Sequence, residues 1–113
     1  MDLLINIGIN PKKKLQTMNI YKLRNNKIDT FKEWCRYLNT IPELVGEELK
    51  HENCSREFFH IIKIEDSYYA IGHMEGQNIQ KARDNKLNNM HKSTLKECFE
   101  ERIEFEILYD IYQ

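Results

Sequence analysis

Apolar positions along the chain follow two rhythms. Between Glu57 and Glu75 the stretch FFHIIKIEDSYYAIGHME is the longest strongly apolar run. Its β-branched and aromatic residues flank a short polar pair, Asp66 and Ser67, and the pattern predicts one β-hairpin. With that pair as the loop, Ile64 faces Tyr69, Ile62 faces Ile71, His60 faces His73 and Phe58 faces Glu75. Glu65 with Tyr68, Lys63 with Ala70, Ile61 with Gly72 and Phe59 with Met74 fall on the other face. A loop one residue longer shifts the pairing and parts the two histidines.

On either side of the hairpin the spacing alternates between the helical and the extended. Thr17 to Arg24 reads as a first strand, closed by Asn25 and Asn26. Ile28, Phe31, Trp34, Cys35 and Leu38 recur at three- and four-residue steps and predict a helix. Thr40, Pro42 and Glu43 carry the marks of a capped second helix, with Leu44, Val45 and Leu49 inward and Gly46 weakening it. Beyond Gly76, Asn78 can cap a helix with Ile79, Ala82 and Leu87 inside. Lys86 to Asn89 interrupts that helix, and it restarts near His91 with Leu95, Cys98 and Phe99 on the same side. From Arg102 to Ile111 the chain alternates again, Ile103, Phe105, Ile107, Tyr109 and Ile111 against Glu104, Glu106, Leu108 and Asp110, which predicts a strand with one buried face. Residues 1–16 read as an appendage, a possible extra strand through Leu3, Leu4, Ile5, Ile7 and Ile9, and residues 17–113 as one domain.

The predicted order is β-α-β-β-α-β. It implies an α+β fold of the ferredoxin-like kind, an antiparallel sheet with its helices on one face. The other face of the sheet then carries apolar residues such as Phe59, Ile61 and Met74, or the alternative set, with no cover. A second copy is the economical cover, so a homodimer in the form of a dimeric α+β barrel is expected.

Composition narrows the function classes. At 113 residues, 41% hydrophobic and 31% charged, the chain can build a core without metal or disulfide staples. Lys plus Arg is 17 against 18 for Asp plus Glu, a net charge of −1, which argues against nucleic acid or a membrane surface as partner. Cys35, Cys54 and Cys98 are odd in number and widely spaced, as expected of reduced thiols in a cytoplasmic protein. The opening MDLLINIGINPKKK places its apolar run before its lysines, the wrong order for a secretory signal and too short to span a bilayer. The wealth of Asn, Lys and Ile suits an AT-rich genome such as that of a low-GC bacterium or its phage.

Three groups of side chains can carry chemistry. His60, His73 and Glu75 share a hairpin face and can transfer protons or approach a divalent metal, but they lack metal-site spacing, so no metal is expected. The competing view is two strand histidines with backbone or solvent partners. His91 shares a helix side with Cys98, but seven residues separate them by roughly 10 Å along the axis, which excludes a Cys–His nucleophile pair within the helix. His91 can instead enter a pocket beside Tyr21, Tyr68 or Tyr69, or serve as an ordinary buried histidine. Lys81, Arg83, Lys86, Lys92 and Lys96 make a basic stretch that suits either an anion or a solvated face. No glycine-rich phosphate loop, GxSxG elbow, HExxH or CxxC pair occurs, and no cofactor is expected.

FKEW (Phe31 to Trp34), the paired tyrosines of the hairpin, KAR (Lys81 to Arg83), HKSTLKEC (His91 to Cys98) and the closing ILYD (Ile107 to Asp110) together resemble a small, mostly bacterial family, domain of unknown function 6176. The resemblance covers roughly Met18 to Ile111 and implies no activity. More distantly the layout is similar to dimeric α+β barrel proteins, including rhamnose mutarotase and cofactor-independent monooxygenases. That similarity implies a small ligand between sheet and helices. The mutarotases use a histidine in the first helical region, where this chain has Trp34. Three functions are therefore expected in order: a small-ligand pocket lined by Tyr21, Tyr68, Tyr69, Glu75 and Arg83; an acid/base enzyme using His60, His73 or His91; and a protein-interaction or inhibitor module.

Overall fold

The two rhythms resolve, in a computed structural model that describes residues 15–111 and 113 with side chains from residue 17, into strands and helices in the order β1 (Leu15–Leu23), α1 (Ile28–Asn39), α2 (Pro42–His51), β2 (Cys54–Ile64), β3 (Ser67–Gly76), α3 (Lys86–Cys98) and β4 (Phe99–Ile103). The strands form one four-stranded antiparallel sheet of order β2-β3-β1-β4. The strand expected within residues 1–16 lies outside the described residues, apart from the start of β1.

The hairpin turns one residue earlier than the Asp66–Ser67 pair predicts. Glu65 and Asp66 form the loop, with Glu65 at φ 55°, the positive value that a two-residue hairpin needs at its first central position. Ile64 therefore pairs with Ser67, Ile62 with Tyr69, His60 with Ile71 and Phe58 with His73. Moving both loop residues back by one shifts each partner by two, so the two alternating sets stay together, but Phe59 and Ile61, first expected on the uncovered face, lie on the helix side.

One face of the sheet carries the helices and the core. Leu23, Phe31, Ala70 and Cys98 are buried there, surrounded by Ile28, Cys35, Phe59, Ile61, Tyr68, Leu95 and Phe99. The rings interlock: Phe31 meets the Phe59 ring edge-on at 5.4 Å, and Tyr21 stacks on Phe99 at 4.3 Å. Gly72, opposite Phe59, has no Cβ because one would strike the Phe59 ring at 2.7 Å. The close approach that a strand glycine permits is here to a core aromatic. On the other face, cross-strand rows run Phe58–His73–Met18, His60–Ile71–Ile20–Ile103 and Ile62–Tyr69–Lys22–Glu101. Among the described residues no helix covers them, and Ile64 at the hairpin end is 55% exposed.

Three boundaries differ from the sequence reading. Thr40 does not cap α2: its hydroxyl donates to Tyr37 O at 2.6 Å, closing α1, and α2 begins at Pro42 without a side-chain cap. Leu44 is 60% exposed, outside the inner face on which Val45 and Leu49 lie. Asn78 takes φ 52°, which starts no helix, and residues 77–85 form an irregular strap. Asn85 caps α3 by accepting from Asn88 N at 2.8 Å, and α3 then runs unbroken through His91. The last strand is shorter and earlier. β4 follows α3 with no intervening residue and ends at Ile103, while the alternating residues beyond it pair with no strand among the described residues; Leu108 is 83% and Tyr109 82% exposed. Among the described residues, no helix is long and apolar enough to cross a membrane.

Burial separates the inward residues from the exposed ones energetically. Leu23→Ala is expected to lower unfolding free energy by about 3 kcal/mol, through lost transfer energy and a residual cavity. Leu44→Ala is expected to change it by less than about 0.5 kcal/mol. Urea denaturation of the two variants distinguishes these positions.

Candidate functional site

The inner face of α2 is where the sequence departs from an ordinary core helix. Val45, Glu48, Leu49 and Glu52 recur at three- and four-residue steps, so two carboxylates face inward with the apolar residues. They border a cleft of about 580 Å³ between α2, the strap and α3, also lined by Leu38, Glu57, Arg83, Leu87, His91 and Leu95.

Glu48 is fully engaged. Arg83 donates Nε to Oε1 at 2.9 Å and Nη2 to Oε2 at 2.7 Å, and Asn85 and Asn88 add Nδ2 donors to Oε1 at 2.7 and 2.8 Å. The Arg83 hydrogen bonds lead in holding its carboxyl down at about 2, against the burial that would raise it. The strap is further tied by Gln80 N to Glu52 O at 2.7 Å and by Asn53 Nδ2 to Asn78 O at 3.1 Å.

His91 and Glu57 form the chemically active wall. The Trp34 indole Nε1–H donates to His91 Nδ1 at 2.8 Å. Because an indole only donates, Nδ1 must be unprotonated, and the proton of the neutral imidazole sits on Nε2. Nε2 looks toward Glu57 Oε1 at 3.9 Å, beyond a direct hydrogen bond and wide enough for a bridging atom. Burial pushes His91 below the ordinary imidazole value and pushes Glu57 up to about 7, where repulsion from Glu52 adds to the rise. Glu57 comes from β2 on the helix-facing side, paired with Met74. The site thus joins a carboxyl that titrates at neutrality to an imidazole held neutral with its N–H toward it.

Of the residues singled out in the sequence, His91 and Arg83 meet at this cleft. His60 and His73 lie on the opposite face of the sheet, 5.1 Å apart, with Phe58 stacked on His73 at 4.5 Å. Glu75 shares that face and lies 3.9 Å from Arg56. Tyr21 packs on Phe99, Tyr68 lies beneath Lys32 and Lys63, and Tyr69 pairs with Ile62, all away from His91. Among the described residues no group of three or more His, Cys, Asp or Glu is arranged to hold a metal ion.

Residues 17–112 match the profile of the Family of unknown function (DUF6176). The chain belongs to this family. Comparison with curated proteins and with solved structures brings no match. In this DUF6176 protein the residues that sequence reasoning missed are Glu48, Glu52, Glu57 and the Trp34 N–H. The inward spacing of Glu48 and Glu52 was a readable signal. The Trp34–His91 bond spans 57 residues and left none.

Two measurements test the site. Glu48 titrates lower folded than unfolded, so its stabilisation is present above about pH 4.5 and is lost as pH falls toward 2. Glu48→Gln is expected to flatten that limb of the stability–pH curve, read by denaturation from pH 2 to 6. Trp34→Phe removes the donor that reserves Nδ1 in the neutral form, so His91 is expected to titrate higher in that variant by NMR.

Proposed function

We propose that the protein binds a small molecule in the cleft between α2, the strap and α3 and carries out acid/base chemistry on it. The observation that carries this reading is the facing pair of Glu57, titrating near 7, and His91, neutral with Nε2–H toward it across 3.9 Å. Glu57 is the proton acceptor, and the His91 N–H polarises an oxygen of the ligand. Such a pair suits proton transfer next to a carbonyl or at a hemiacetal. Trp34 positions His91, and Glu48 with Arg83 forms a wall rather than a reacting group.

The strand order β2-β3-β1-β4, with the helices on one face, supports the ferredoxin-like arrangement. The bare apolar rows of the other face, with the exposed alternation of residues 105–111, favour a homodimer of the barrel kind in which a second copy covers both.

Carboxyl-observed NMR is expected to show Glu57 titrating near 7 in the wild type, and a fragment screen followed through the single Trp34 indole signal is expected to find ligands whose binding His91→Ala weakens. A Glu57 midpoint near the ordinary ~4.3 overturns the acid/base assignment. For the dimer, light scattering at micromolar protein is expected to return twice the chain mass, and Ile62→Glu with Ile64→Glu to return one chain mass. A wild type of single-chain mass ends that reading.

A further inference from the structure

Beside Glu57 the cleft holds a second acid that burial disfavours, Glu52. The residue is 8% exposed, its carboxyl oxygens open onto the cleft rather than being sealed from it, and no hydrogen bond or ion pair to them is found among the described residues. It stands at the C-terminal end of α2, where its own N–H bonds to Glu48 O and Leu49 O. The carbonyl ends of that helix repel a carboxylate. Burial first, and then the negative charge of Glu48, raises its titration. Among the described residues no cation pairs with it. Arg83 is bound to Glu48, Lys81 and Lys92 are exposed at the rim with no ion pair to Glu52, and Asp84 between them is itself an acid. The remaining titratable groups around it add no positive charge: Glu57 is a second carboxyl, His91 is held neutral, and burial keeps the Cys54 thiol protonated. A buried acid in this setting normally has a partner.

We infer that the ligand of this cleft carries a protonated amine, which docks on the Glu52 carboxylate with its apolar body against Leu38, Val45, Leu49, Leu87 and Leu95. The inference rests on the small-ligand reading above and names its substrate class. An anion would meet two interior carboxyls. A divalent metal would need further ligands, and among the described residues no such group occurs. A monocation with an apolar body matches one buried acid beside an aliphatic wall. Docking on Glu52 leaves Glu57 and His91 free to act on the neighbouring atoms of the same molecule. Because Glu52 must ionise to receive the ammonium, affinity rises with pH through its raised titration and is lost as pH falls.

The test uses three probes of one shape: cyclohexylamine, cyclohexanol and cyclohexanecarboxylate. Each is titrated into the full chain at pH 8, with the Trp34 indole and His91 signals read by NMR. Cyclohexylamine is expected to move both signals and to exceed the other two by about tenfold in affinity. Glu52→Gln is expected to weaken the amine by about tenfold, while Glu52→Asp retains its binding. An unchanged indole signal in the unliganded variants certifies their fold. Equal binding of amine and alcohol, or of amine to wild type and Glu52→Gln, overturns the inference while leaving the small-ligand reading intact. No movement of the cleft signals by any of the three overturns both.

Discussion

The four hydrogen bonds gathered by Glu48 hold the rest of the cleft in place. Two come from Arg83 and one each from Asn85 and Asn88, and all reach a side chain projecting from α2. The strap over residues 77–85 has no regular structure of its own, so its path is set by what it is tied to. Asn85 serves two masters. Its amide donates to Glu48, and its carbonyl oxygen caps α3. The start of α3, and therefore the height at which His91 meets Trp34, follows from a contact across 37 residues. An acidic residue on the inner side of a helix would ordinarily be a liability. Here it fixes the loop that walls the site.

That same dependence decides what could be read in the sequence. The division of the hairpin into two faces was legible because side-chain alternation survives a shift of the turn, but which face met the helices was not: Phe59 and Ile61, first expected on the uncovered side, lie with Ala70 on the helix side. α1 was legible from Phe31 and Trp34 at helical spacing. The start of α3 was not, because Asn78 and Asn85 are equally good caps locally. What separates them is the reach of Asn85 to Glu48 and the left-handed backbone at Asn78. Alternation past Ile103 was a true property of the sequence, yet a strand needs a neighbour, and β1 is matched to β4 only from Ile20 to Leu23. For the site, His91 and Arg83 could be suspected as polar residues in helical or basic surroundings. Of their partners, Glu48 showed only its inward spacing, and Trp34 and Glu57 are joined to them only by folding.

The two faces of the sheet divide the molecule's polar and apolar business. On the helix side, the aromatic packing of Phe31, Phe59 and Phe99 fills the end near the β1–β4 pair, and the carboxyls crowd the end under α2. The histidines of the hairpin, His60 and His73, belong to the other side and rest among rings. Charge that is hard to bury is thus confined to one border of the core. There desolvation tunes Glu57 and His91 in opposite directions without loosening the aromatic packing.

α3 passes into β4 without a single linking residue, and the joint is pinned by Arg24, whose N–H reaches Cys98 O at 2.9 Å and whose Nε reaches Glu97 O at 3.1 Å. A helix bearing His91 at its middle is therefore rigidly spliced to the border strand of the sheet. With no linking residue to absorb it, a tilt of that helix would be passed directly to the strand beside β1.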